Sequence, residues 1–120
     1  MKKHILSIDD EVDIRELLKE ILTIKGYRVS TAGSAQEARR IVQADPPNLI
    51  ITDFQMADTD GFALVEDLNK IVPGVPVLLL TGVVFDPEVV SENVLKKVVG
   101  YIDKTASLDT ILTEVKRLVE

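Results

Sequence analysis

The chain has 120 residues, enough for one domain that buries roughly two thirds of the surface its unfolded form exposes. Apolar residues make up 46% and charged residues 28%, with no low-complexity tract and no internal repeat, which excludes a disordered or solenoid chain. Its 14 basic against 20 acidic residues give a net charge of -6, against the basic footprint of direct nucleic-acid binding; zero cysteines and one histidine exclude a disulfide framework and a Cys or His metal cluster.

The amino-terminal Met1-Lys2-Lys3 is basic, but the apolar run behind it meets acid at Asp9, too soon for a signal peptide, and nothing reaches transmembrane length. A soluble, cytoplasmic protein is expected, although the absence of cysteine leaves the compartment open. The first run, "HILSI" (4 to 8), reads as a strand, and "DDE" follows it. Ile14, Leu17, Leu18, Ile21 and Leu22 then form a helical stripe that Gly26 ends. Glu11 and Asp13 read as acids complementing the dipole of that helix, and His4 as a solvated or edge residue.

"RVSTA" (28 to 32) is the second strand, and Ser34 with Glu37 makes a capping box for a helix carrying Ala38, Ile41 and Val42, stopped by Pro46-Pro47. "NLIIT" (48 to 52) is the third strand, followed by Asp53. Leu64, Leu68, Ile71 and Val72 mark a third helix closed by Pro73-Gly74, and "VPVLLL" (75 to 80) a fourth strand that runs into Thr81-Gly82. Asp86-Pro87-Glu88 predicts a fourth helix to about Val99; its valines lose side-chain freedom in a helix, so packing must hold it. Within it, Lys96-Lys97 reads as solvated. "GYID" (100 to 103) is the fifth strand, ahead of Lys104, and Leu108, Ile111, Leu112, Val115 and Val119 stripe the last helix.

Strand and helix alternate five times, which leaves no room for hairpins and predicts a single α/β domain over residues 1–120: a doubly wound, five-stranded parallel sheet with five helices on its two faces. Ligands of such sheets bind outside the carboxyl ends of the strands, where this chain places Asp9-Asp10, Asp53, Thr81 and Asp103-Lys104. Each has an ordinary alternative as a cap, turn or solvated residue; together they converge on one sheet edge. Two carboxylates about 4 Å apart repel by roughly 4 kcal/mol at an effective dielectric near 20, so the cluster either protonates or binds a cation. An all-oxygen donor set suits Mg²⁺. Beside it, an Asp can act as nucleophile toward phosphorus, while Lys and Thr bind phosphoryl oxygens.

These residues, in this order, resemble the receiver domain of bacterial two-component response regulators over Lys3 to about Val119: the acidic pair Asp9-Asp10, the phosphoacceptor Asp53, "MxxxDG" at Met56, Asp60 and Gly61, the hydroxyl Thr81, the lysine Lys104 and the aromatic switch position Tyr101. The resemblance implies the flavodoxin-like strand order 2-1-3-4-5. It implies phosphoryl transfer to Asp53 from the phosphohistidine of a histidine kinase or phosphotransfer protein. Asp10, Asp53 and the backbone carbonyl of Gln55 would bind Mg²⁺, Asp9 would orient a metal-bound water, and Thr81 and Lys104 would hold the phosphoryl oxygens. The change would pass through the face of the fourth helix, fifth strand and fifth helix to a downstream protein or fused output domain, with dimerisation on phosphorylation as an open possibility. Such a chain is a phosphoacceptor switch that turns over no separate substrate. It would contact neither nucleic acid nor membrane directly, and Glu120 falls where an output linker would begin.

Three departures stand out. Thr105 follows Lys104 where the family usually has a proline, Ala57 stands where a proline is common, and Val83, Val84 and Phe85 put apolar residues beside the site. The first and the last of these motivate one alternative, a pseudo-receiver that binds without switching. Another, a Mg²⁺-dependent phosphohydrolase, needs D-x-D-x-[TV] after the first strand, where this chain has Asp9-Asp10-Glu11-Val12-Asp13. For Tyr101 the alternative is a half-buried strand tyrosine with its hydroxyl in water.

Overall fold

A strand can bury every residue only where both of its faces are covered, and β1 (His4–Ile8) is such a strand, with all five residues buried. The computed structural model describes residues 2–53, 55–56, 59–81, 98–103 and 105–119. β1 lies between β2 (Arg28–Ala32) and β3 (Leu49–Thr52), and the sheet continues through β6 (Val77–Thr81) to β7 (Gly100–Asp103), every pairing parallel. By position in the chain this is the order 2-1-3-4-5. Two short strands stand outside the count: β4 (Gln55–Met56) and β5 (Thr59–Asp60) form an antiparallel ribbon for which the alternating pattern left no room. A pair of two-residue strands has no hydrophobic period to announce it.

Alternate side chains of each strand enter opposite cores. Ile5, Leu49, Ile51, Leu78 and Leu80 pack with Leu18 and Leu22 of α1 (Val12–Ile24) and with Ile111, Val115 and Val119 of α4 (Leu108–Val119). Leu6, Ile8, Ile50, Val77 and Leu79 pack with Ala35, Ala38 and Val42 of α2 (Ala35–Ala44) and with Leu64, Val65 and Leu68 of α3 (Gly61–Ile71). Helices thus cover both faces. These four are the helices among the described residues; the predicted helix from Asp86 lies outside them over residues 86–97. Val98 and Val99, its expected end, are described and not helical, because the Val99 N–H is drawn to the Val77 carbonyl at 2.9 Å at the start of the β6–β7 ladder.

Local chemistry sets the element ends. Gly26 takes a φ of +98°, the left-handed conformation that closes α1 and that a Cβ would strain. At α2 the Ser34 side chain accepts the Glu37 N–H at 3.1 Å while Glu37 Oε1 accepts the Gly33 N–H at 2.9 Å, a reciprocal cap. Two readings need correction. His4 is 2% exposed, because β1 is an inner strand; its Nε2 lies 2.7 Å from Ser30 Oγ on β2. Within the α1 stripe, Leu17 is 42% exposed, and Leu18 and Leu22 carry the burial.

Candidate functional site

The parallel ladder does not stop at the last residue of β1 or β3. The Asp9 N–H donates to the Ala32 carbonyl at 3.1 Å and the Asp53 N–H to the Ile8 carbonyl at 3.0 Å, so both acids are held in register one residue past their strands. Asp9 is 2% and Asp53 6% exposed, whereas Asp10 is exposed. One carboxylate oxygen from each of Asp9, Asp10 and Asp53 lies within 4.8 Å of the other two. Among the described residues this is the one group of three or more acidic or histidine side chains close enough to share a cation.

Neighbours fix the acids in place. Asp9 Oδ1 accepts the Glu11 N–H at 2.9 Å, which ties the first acid to the start of α1. Glu11 is the N-cap residue of that helix, without a side-chain cap bond, and Asp13 occupies its first turn. The buried hydroxyl of Thr52 donates to the Asp53 carbonyl at 3.1 Å. Arg15 is a residue the sequence did not single out: its Nη1 donates to the Asp9 carbonyl at 2.8 Å, and a Cβ at Gly33 would lie 2.2 Å from that nitrogen. Gly33 therefore leaves the space through which Arg15 reaches the carboxyl end of β1. An arginine on the polar side of a helix gives no sequence signal for this role.

Thr81 closes β6 opposite Asp103, the last residue of β7, so both stand at the same sheet edge as the acids. Tyr101 lies on β7, the edge strand, and is 51% exposed. Gln55 lies in β4, two residues after Asp53. Lys104, Gly82 and Val83, Val84 and Phe85 lie outside the described residues, as does the Lys104–Thr105 bond. Beside them, Asp103 accepts the Thr105 N–H at 2.8 Å and the Thr105 hydroxyl at 2.7 Å, and these bonds hold its carboxyl below the usual carboxylate range.

The donor set passes a chemical test for a hard divalent ion: three carboxylates, two of them buried, with oxygens close enough to meet at one centre and no softer ligand among them. β3 and β6 are neighbours in the sheet, so Asp53 follows the strand next to the one that Thr81 closes. No helix among the described residues is long and apolar enough to cross a membrane.

Comparison with known proteins agrees with this fold. The chain is 33% identical over 111 residues to the transcriptional regulatory protein GlrR of Escherichia coli strain K12, which covers 90% of this chain and 25% of that protein. It spans about a third or less of the length of the curated relatives it matches. Among solved structures, the chemotaxis protein CheY4 of Vibrio cholerae superposes with a TM-score of 0.88 at 27% identity, covering 98% of this chain and 99% of that one. The response regulator protein TrrA of Thermotoga maritima, solved in complex with Mg²⁺ and beryllofluoride, gives 0.84 at 31% identity, covering 98% of this chain and 99% of that one. The family model of the response regulator receiver domain matches residues 5–116, and the chain belongs to that family.

Proposed function

We propose that the chain is a phosphorylation-controlled switch in which Asp53 accepts a phosphoryl group from the phosphohistidine of a histidine kinase or phosphotransfer protein. The observation that carries the reading is the meeting of the Asp9, Asp10 and Asp53 oxygens within 4.8 Å, with Asp53 buried and fixed by the ladder. An Asp53 carboxylate oxygen forms a bond to phosphorus as the phosphorus–nitrogen bond to the imidazole breaks, and the imidazole nitrogen leaves with the bonding pair. Asp10, Asp53 and the Gln55 carbonyl, with Asp9 beside them, would hold Mg²⁺, which would supply the positive charge that offsets the repulsion among the carboxylates and the phosphoryl oxygens.

The chain's own residues do the rest. Asp9, held by the Glu11 N–H, keeps its carboxylate turned toward the cluster. Thr81 and Lys104 bind the phosphoryl oxygens from the β6 and β7 ends of the edge. Their engagement biases the face that carries β7 and α4, where Tyr101 stands half exposed as the switch aromatic. The TrrA complex with Mg²⁺ and beryllofluoride supports the choice of ion and of phosphoryl mimic. The relatives named as transcriptional regulators are about twice as long as this chain or longer, which supports output through a further domain or partner; that output lies in the cytoplasm, with no nucleic-acid contact by the receiver itself.

A titration with Mg²⁺ and beryllofluoride, read by Tyr101 emission in a Tyr27→Phe chain, tests the switch. A saturable change that requires both components is expected. Binding of both without any change at Tyr101 would mark a pseudo-receiver, and turnover of a phosphate ester a phosphohydrolase.

A further inference from the structure

Three hydrogen bonds converge on Asp103 from beyond the end of β7. Its carboxylate accepts the Thr105 N–H at 2.8 Å and the Thr105 hydroxyl at 2.7 Å, and its carbonyl accepts the Ala106 N–H at 2.9 Å. Thr105 lies across one intervening residue, Lys104, and Ala106 across two. The anchor is firm on its other side, because Asp103 is paired in the ladder with Thr81. A threonine has no ring to restrict its backbone as a proline does, so side-chain bonds must supply the restriction at this position.

Helix capping does not account for the arrangement. α4 begins at Leu108 with its own cap, the Ser107 hydroxyl, which accepts the Thr110 N–H at 3.2 Å. Core packing does not account for it either, since Asp103 and Thr105 are both exposed. What remains is the local conformation of the backbone on either side of Lys104.

We propose that Asp103 and Thr105 are positioning residues for phosphoryl transfer, fixing the backbone that flanks Lys104 against the end of β7 at the level of Thr81. The proposal rests on the reading of Asp53 as acceptor and of Lys104 as the cation for the phosphoryl oxygens. A charge-assisted pair of bonds from one carboxylate to one residue restricts the turn before the phosphoryl group arrives, so less ordering is left to the transfer step. Neither residue touches the reacting atoms; they act through Lys104.

The test follows the rate of a one-phosphate mass gain on the full chain with acetyl phosphate and Mg²⁺, in wild type, Thr105→Val, Thr105→Ser, Asp103→Ala, Lys104→Gln and the Lys104→Gln/Thr105→Val double variant. Thr105→Val is expected to slow transfer about fivefold, the effect of one hydrogen bond of ordinary net strength. Asp103→Ala should slow it at least as much, and Thr105→Ser should restore the wild-type rate. The Mg²⁺ dependence should stay unchanged in Thr105→Val, and in the Lys104→Gln background Thr105→Val should have no further effect. Equal rates for Thr105→Val and wild type would overturn the inference while leaving Asp53 as acceptor. The same slowing in the Lys104→Gln background would overturn it too, since the bonds would then act on something other than Lys104. Absence of any phosphate on the wild-type chain would remove the acceptor reading, and the inference with it.

Discussion

Ser7 sits on the strand that delivers Asp9, two residues before it, and is 1% exposed; its hydroxyl finds no hydrogen-bond partner among the described residues. A buried hydroxyl without a partner costs stability, so Ser7→Ala is expected to raise unfolding stability by about 1 kcal/mol in urea titration. A loss of stability would show that the hydroxyl is satisfied. At this scale the sequence revealed the acids well, because Asp9, Asp10 and Asp53 each break an apolar run at its carboxyl end. It hid His4, whose burial follows from the place of β1 inside the sheet, a fact of strand order that one residue does not carry. Arg15 was hidden for a related reason: its bond to the Asp9 carbonyl depends on α1 crossing near Gly33.

The elements are joined at their outer ends by paired charges. Arg28 at the start of β2 bonds Asp45 just past α2, with nitrogen to oxygen distances of 2.5 and 3.3 Å, and this holds the Asp45 carboxyl below, and the guanidinium above, its usual range. A depressed carboxylate adds stability that is present above its unfolded pKa, about 4, and is lost as pH falls through the lower folded value. The thermal midpoint of wild type should therefore exceed that of Asp45→Asn at neutral pH, and the gap should close in acid below about pH 4. A gap that persists undiminished there would mean the pair does not carry the difference. Salt should narrow the gap at neutral pH, since both partners are half exposed. Helix existence was legible from period and caps: the Ser34–Glu37 cap and the Gly26 stop are both present. Strand ends moved by one or two residues where an apolar residue before the strand, such as Val75, packs on the core without joining the ladder. The β4–β5 ribbon was illegible for want of any period.

For the molecule as a whole, two apolar cores fix the sheet, and the sheet edge spends part of that stability on gathering carboxylates in a chain that is already net negative. The fold was legible because five alternating runs admit few topologies. The carboxylate half of the site was legible because those runs end in acid. The opposite half was legible by the same rule, since Thr81 and Asp103 also end apolar runs; what the register adds is that the two are paired with each other. If the carboxylate cluster exists to bring a cation and a phosphoryl group to Asp53, acid and ion must both be required for chemistry. Intact-mass measurement after incubation with acetyl phosphate tests this most directly. The account predicts a gain of one phosphate that needs Mg²⁺, vanishes in Asp53→Asn and is strongly slowed in Asp10→Asn. A gain that persists in Asp53→Asn, or that forms equally well with Mg²⁺ chelated, would contradict it.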